Sequence, residues 1–571
     1  MVVQLETKTL LELATNSFSL YADKLLASNI KDINMTYQEA SLKIQTLQAT
    51  FKSLGVTQGD KVAICSENMP NWGVVYLAVT TMGAVIVPIL PDFHSNEVHH
   101  IIKHSEAKAI FLSKKQRAKL SEDDFSSALE YSFSVETLDF FEDTDASESL
   151  FVVKNPVKPS LMETMKKGLK KPKETVEKAL VIHPDDLAAI IYTSGTTGQS
   201  KGVMLSHNNL TAQIQQAATL VDINAADKFL SILPLAHTFE CSVGFLVPFA
   251  NGASIYYLNK IPSPKIILAA MAKVQPSCML SVPLVIEKIY KSKVQANINK
   301  NKVVKYLYEN VPFVRKRLHK IAGKKLMQSF GGKMRFFGIG GAKLSPFVEQ
   351  FLIEAEFPYA IGYGLTETAP IIAGAIPYKT KVGSTGIIAP GIECRFCKED
   401  ESQLDGELHV RGPNVMLGYY KDTVRTAEVL DADGWLNTGD LGYMDDNGIL
   451  YINGRSKNVI IGSSGENIYP ESVEAVLNQN PLVCDSLVYE ENDKIVAKLF
   501  LDYDKFDEFH NIETTSDSAL HKTILTLLEE IKITANSQLA NYAKISKVIE
   551  QTVPFIKTPT AKIKRYLHTP S

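Results

Sequence analysis

Residues 189–207 read AIIYTSGTTGQSKGVMLSH, and the organisation of the chain is best worked out from this stretch. Leu187 to Ile191 is a short apolar run of strand length that ends in turn-forming residues. It gives way to Thr193-Ser194-Gly195-Thr196-Thr197-Gly198, four hydroxyl side chains and two glycines in six residues. Lys201, Gly202 and a second apolar run follow. Glycine lets backbone N–H groups come close to an anion, and the hydroxyls add donors beside them. A lysine at the end of such a loop brings a mobile positive charge suited to a polyphosphate. The Walker A pattern needs Gly-Lys-Ser/Thr entering a helix, and the dinucleotide fingerprint needs GxGxxG; the stretch contains neither. By composition alone the loop is equally a phosphate cradle or a polar surface turn.

The chain has 571 residues, 45% of them hydrophobic, enough for at least two sizeable cores. A net charge of −3 argues against nucleic acid as the main partner. Six cysteines in so long a chain do not make a disulfide framework, and a reducing, cytoplasmic compartment is expected. The opening MVVQLETKTLLEL has neither the basic start nor the long apolar run of a signal peptide. Trp72 to Leu90 runs 19 residues without a charge, close to a bilayer's thickness. Gly83 and Pro88 split it, so the reading is a buried helix to about Met82 and then a strand.

Helical and strand-like patterns alternate along the first part of the chain. Tyr37 to Leu54 has helical spacing, with Leu42, Ile44, Leu47 and Phe51 assigned to one side. Asp60 to Cys65 and Ala84 to Ile89 read as strands, and the alternation predicts a layered α/β domain. Residues 121–180 form a charged excursion, first acidic (Glu122, Asp123, Asp124), then basic (Lys166, Lys167, Lys170, Lys171, Lys173). Asn208 to Leu220 reads as a helix and Leu230 to Leu235 as a strand, after which His237 stands beside Phe239. Between Lys288 and Arg335 there are 14 lysines and arginines against one acid, Glu309, with apolar residues interleaved. That stretch is either a solvated helical face or a surface for anionic lipid or a negatively charged cosubstrate. Cys394 and Cys397 have metal spacing but no second pair nearby, and His100 and His104 sit one helical turn apart with no acid motif; neither predicts a metal site.

Six further segments carry chemistry. Gly338-Ile339-Gly340-Gly341-Ala342 follows the strand-like Met334 to Phe337, and such small residues let a flat ring pack on the backbone. Ile361 to Thr368 reads IGYGLTET, and Gly434 to Asp440 reads GWLNTGD. Gly454 to Lys457 reads GRSK, followed by SSGENIYP at Ser463 to Pro470. KTPTAKIKR closes the series at Lys557 to Arg565.

With the hydroxyl-rich loop and GVTQGDKVAICSENMPNW at residues 55–72, these segments in this order resemble the adenylate-forming (AMP-binding) superfamily. Among its branches they look most like the bacterial long-chain fatty acid–CoA ligases. The resemblance runs from about Thr36 to Arg565. It implies a large, multi-subdomain N-terminal domain of layered α/β sheets, residues 1–453, and a small mobile α+β C-terminal domain, residues 454–571. The implied reaction is ATP-dependent activation of a fatty acid to acyl-AMP, then thioester formation with CoA. Alternatives are transfer to an acyl-carrier protein, or a silent nucleotide- or lipid-binding homologue. ATP, Mg²⁺, CoA and a fatty acid are the implied partners, with peripheral contact at the inner membrane through the basic stretches; oligomeric state is left open.

The resemblance also assigns residues. Thr193, Ser194, Gly195, Thr196, Thr197, Gly198 and Lys201 would hold phosphate, with Ser200 where proline is usual. Gly341, Ala342, Tyr363 and Gly364 would line the adenine pocket, and Thr366 would bond the α-phosphate. Glu367 would hold Mg²⁺, Asp440 the ribose, and Arg455 ribose or phosphate. Lys457 would mark the hinge, and Gly465 lies in a CoA-facing loop one residue longer than the commonest spacing. Lys562 matches the catalytic lysine, with Ala561 in place of the usual glycine before it. His237 stands near the carboxylate end of the acyl pocket where amino-acid-activating relatives place aspartate, which points away from an amino-acid substrate.

Overall fold

The apolar run before the hydroxyl-rich loop is a strand, Leu187–Thr193, buried along nearly its whole length. Its neighbours account for the burial. Val85–Ile89 runs parallel on one side, and Lys201–Ser206 returns antiparallel on the other, setting Lys201 opposite Thr193. Lys61–Cys65, Ala109–Leu112 and Tyr131–Ser134 extend this sheet in parallel, and Gly418–Tyr419 closes its other edge, making seven strands. The computed structural model describes all residues except 1–4, 32, 121–127, 142–179, 194–199, 259–262, 399, 401, 463–465, 511–516, 559–561 and 570–571, together with the side chains of 508–519.

The helices follow from caps and spacing. Tyr37–Ser53 starts at a capping box of Thr36 and Glu39 and buries Ala40, Ile44, Leu47 and Phe51. Leu42, expected on that face, is exposed, because residues two apart on a helix point about 200° apart. The uncharged run resolves into the helix Pro70–Thr80 and the strand Val85–Ile89, both buried. Among the described residues no helix is long and apolar enough to cross a membrane.

The second sheet has thirteen strands. From the edge strand Asn34–Thr36, antiparallel to its neighbour, its parallel half runs Leu25–Ser28, Ser254–Tyr257, Lys228–Ser231, Cys278–Ser281, Phe336–Ile339 and Tyr359–Gly364. The antiparallel half continues through Ile371–Gly374, Gly386–Ile388, Ile449–Arg455, Leu436–Met444, Gly406–Arg411 and Glu393–Cys397. The strand expected to reach Leu235 stops at Ser231. There the Asn68 side chain replaces the ladder, donating to the Leu233 carbonyl at 2.6 Å and accepting from the Leu235 amide at 2.9 Å. The charged excursion differs as well: its described part contains the strand Tyr131–Ser134, whose Phe133 stacks on Phe111 at 4.7 Å. Four residues are too few for a two-residue period to stand out. The acidic and lysine runs named above lie outside the described residues.

A separate apolar core begins at Ile460. It sits beneath a sheet of three strands, Val483–Glu491, Lys494–Leu501 and Lys547–Glu550, packed with the helices Pro470–Leu477 and Asp517–Asn536.

One buried acid ties the start of three strands in the larger sheet together. Asp227 is 4% exposed and accepts from Arg335 Nε at 2.7 Å and Ser277 Oγ at 2.6 Å. Burial alone would raise its pKa, but the bonds from Arg335 and Ser277 hold the carboxyl below its ordinary range. Its stabilising effect is therefore complete above the unfolded value, about 3.9, and is lost as pH falls through the lower folded value. Asp227→Ala is expected to cost about 1–3 kcal/mol in urea unfolding at pH 7. The gap to wild type should shrink in acid; a gap independent of pH would contradict this account.

Candidate active site

The strand Tyr359–Gly364 ends where the sheet changes from parallel to antiparallel, and the motif residues gather at that change. Tyr363 donates its hydroxyl to Asp440 Oδ2 at 2.6 Å, and Arg455 Nε meets Asp440 Oδ1 at 2.8 Å. Asp440 and Arg455 are register partners on adjacent strands, so their side chains are brought side by side by the ladder itself. Burial pushes the Asp440 carboxyl up, against the opposing pull of Arg455, Tyr363 and Lys562. Each carboxylate oxygen retains a second acceptor direction, so the group can still receive hydroxyls from a ligand.

Glu367 follows in a single 3₁₀ turn, Thr366–Thr368. Its carboxylate accepts from the Tyr419 hydroxyl at 2.9 Å, and the same tyrosine ring lies 4.7 Å from Lys201 Nζ. Tyr419 thus joins the end of the hydroxyl-rich loop to the motif carrying Glu367. Asn414, fully buried, donates to the carbonyls of Thr368 at 3.0 Å and Ile371 at 2.7 Å and holds the turn from behind. Gly364 must be glycine: a Cβ there would fall 1.7 Å from the Pro370 carbonyl oxygen.

His237 and Phe239 occupy the opposite wall. The His237 Nδ1 accepts from the Phe239 amide at 3.2 Å, which leaves Nε2 to carry the ring proton. Burial, then the charge of Lys562, pushes its pKa down to about 4, so the imidazole is neutral at pH 7. Phe239 is part of the wall of an apolar cavity of about 40 Å³, shared with Leu220, Val243, Gly338, Ile361 and Ala373. Gly340 allows the ring to sit there, since a Cβ would come within 3.2 Å of it.

The C-terminal segment completes the cleft. Lys557 pairs with Asp485 at 2.7 Å and Arg565 with Glu474 at 2.7 Å; between these anchors the Thr558 amide donates to the Lys562 carbonyl at 2.7 Å and the Lys562 amide donates to Thr558 Oγ1 at 3.1 Å. Lys562 keeps contact with solvent, yet it interacts electrostatically with Arg455, Asp440, Glu367 and His237. Desolvation by the cleft walls and the Arg455 charge push its ammonium down, while Asp440 and Glu367 pull it up.

The structure brings nine of the sequence-predicted site residues into this region: Lys201, His237, Tyr363, Gly364, Thr366, Glu367, Asp440, Arg455 and Lys562. Gly341 adopts the left-handed conformation at φ +87°, next to Ala342 at the end of the strand Phe336–Ile339. Lys457 is exposed in a short 3₁₀ turn, Ser456–Asn458. Thr193 closes its strand, whereas Ser194, Gly195, Thr196, Thr197, Gly198, Gly465 and Ala561 lie outside the described residues. Sequence reasoning missed Tyr419 and Asn414, whose places depend on long-range pairing. Cys394 and Cys397 lie on the strand Glu393–Cys397, His104 bonds the Tyr192 hydroxyl at 2.7 Å, and no metal-holding cluster of three occurs among the described residues.

A profile described as AMP-binding enzyme matches residues 20–420, well over half of the chain. The chain belongs to the AMP-binding enzyme family. It is similar to long chain acyl-CoA synthetase 7, peroxisomal, of Arabidopsis thaliana, at 28% identity over 93% of this chain and 79% of that one. It is equally similar to long-chain-fatty-acid–CoA ligase FadD15 of Mycobacterium bovis, at 28% identity over 93% and 90%. Among solved structures, O-succinylbenzoate coenzyme A synthetase from Bacillus subtilis in complex with AMP superposes with a TM-score of 0.73 at 20% identity, covering 98% of each chain. That likeness concerns the fold. The turn after Tyr363 leaves no room for a side chain at position 364. Gly364→Ala should cost about 1–3 kcal/mol or more through overpacking against Pro370 and weaken AMP binding with it. Unchanged melting and AMP titration would contradict the close approach.

Proposed function

We propose that this enzyme joins a fatty acid, long-chain rather than short, to CoA through an acyl-adenylate, with ATP as the energy source. The observation that carries the reading is the meeting of Lys562 with Glu367, Asp440 and His237 beside an apolar cavity. The relatives named as long-chain acyl-CoA synthetases support the acid class. We take residues 1–453 as the adenylation domain and 454–571 as a domain that moves about Lys457. We place the enzyme in the cytoplasm, in peripheral contact with the inner membrane.

In the first half-reaction a carboxylate oxygen attacks the α-phosphorus of ATP, and the bond to pyrophosphate breaks. Two anions must approach each other, and charge grows on the phosphoryl oxygens. Lys562 supplies the opposing charge, and Lys201 and Thr366 hold the phosphates. Tyr363, Gly341 and Ala342 take the adenine, while Asp440 and Arg455 take the ribose. The neutral His237 offers its Nε2 proton to the carboxylate and orients it, with the chain directed past Phe239 into the cavity. Magnesium fits the donor set: Glu367 is a single hard carboxylate linked through Tyr419 to Lys201, suited to an ion that keeps most of its waters and binds through phosphate. When bound, that ion would offset the charge of the departing pyrophosphate. In the second half-reaction the CoA thiol attacks the acyl carbon and AMP leaves.

A cavity of about 40 Å³ is far below the ~300 Å³ at which ligand pockets begin, so a long chain enters only as Phe239 and Leu220 move. Ala217 faces the cavity from the helix His207–Leu220. Ala217→Phe should lower kcat/KM for oleate by at least about tenfold relative to hexanoate. Unaltered chain-length preference would remove the cavity from the acyl path. Lys562→Ala should abolish acyl-adenylate formation and spare thioester formation from supplied acyl-adenylate. Equal loss of both steps would refute the role given to Lys562.

A further inference from the structure

The crossover between the strands Cys278–Ser281 and Phe336–Ile339 carries two helices, Lys302–Asn310 and Pro312–Ser329, that turn apolar side chains to solvent. Asn301 caps the first helix by accepting from the amides of Val303 and Val304. Helical spacing then divides its faces. Val304 and Tyr308 turn inward, and the Tyr308 hydroxyl bonds His319 Nε2 at 2.8 Å and Tyr290 at 3.1 Å. His319 and Arg315 in turn hold Glu354, at 2.8 and 2.9 Å. Gly323 packs so closely on the next helix that a Cβ would lie 2.6 Å from Ala355. The pair of helices is therefore fixed to the body, and its outer face is not free to fold back.

On that outer face Val303 is 66% exposed, Tyr306 65% and Phe313 73%, with Ile321 at 48%. Exposed cations accompany them: Lys302, Arg317 and Lys324, with Lys320 paired to Glu356 at 2.7 Å. The two helices carry eight basic side chains, of which Arg315 is held by Glu354, against the single acid Glu309, which lies near Lys305 at 3.8 Å. Projecting aromatic and aliphatic groups within a field of lysine and arginine fit one kind of surface. The rings enter the boundary between headgroups and acyl chains, and the cations reach lipid phosphate. We propose that this helix pair is the docking surface for an anionic phospholipid bilayer. The inference deepens the membrane contact proposed above by naming the surface and the lipid charge it reads.

The test uses the full-length chain with vesicles alone, without ATP or fatty acid, so its outcome is independent of the acid the enzyme activates. Co-sedimentation is measured with phosphatidylcholine vesicles and with vesicles containing phosphatidylglycerol in equal amount. Binding to the anionic vesicles should be at least about tenfold tighter and should weaken in about 0.5 M salt. Tyr306→Ser/Phe313→Ser should lower it by about tenfold, and Arg317→Glu/Lys324→Glu should remove the preference for anionic lipid. Both variants should keep wild-type melting and exchange activity with a water-soluble acid. No binding to anionic vesicles, or equal binding by folded variants, would overturn the proposal. So would light scattering that shows a wild-type dimer dissociated by Tyr306→Ser/Phe313→Ser, because the face would then be covered by a second copy.

Discussion

The buried carboxylate of Asp440 constrains everything around it. A carboxylate withdrawn from water costs several kcal/mol unless charge and hydrogen bonds replace its hydration. Here Arg455 and Tyr363 replace it, from two strands that reach the same point by different routes. The Tyr363 strand belongs to the parallel half of the large sheet, and Arg455 ends the antiparallel ladder. Arg455 also immediately precedes the segment that leads into the C-terminal core. One carboxylate and its two partners therefore join the two halves of the sheet at the point from which the C-terminal segment departs.

The far side of the cleft is organised by shape rather than charge. The Phe239 amide fixes the His237 tautomer, and the Phe239 ring forms part of the cavity wall, so a polar and an apolar end meet within three residues. Glycine at 340 keeps the sheet surface low enough for the Phe239 ring, and Gly338 and Gly362 lie in the cavity wall beside it. A neutral imidazole next to a lysine is the arrangement expected when burial disfavours a second positive charge. Such a wall suits a ligand with an anionic head and an apolar tail.

The sequence made the motif residues legible because their chemistry needs particular side chains at short, contiguous spacing. Tyr363, Glu367 and Asp440 are named through the resemblance of their contiguous motifs to the adenylate-forming superfamily, whereas the layered α/β class follows from alternating strand and helix patterns. Tyr419 could not be named, since it matters only through the pairing of Gly418–Tyr419 with Lys201–Ser206, more than two hundred residues away in the chain. Asn414 was hidden likewise, its work being done on the carbonyls of another segment. Local readings failed where local signals are weakest. Tyr131–Ser134 was too short to show its period, Asn68 ended a strand from a distance, and Leu42 was placed on the wrong face.

The most direct measurement is ATP–pyrophosphate exchange over carboxylic acids from acetate to oleate, followed by identification of the products with CoA. The account predicts exchange that rises toward long chains, with acyl-CoA and AMP formed when CoA is added. Exchange greatest with short acids, or none with any acid while ATP still binds, would contradict it.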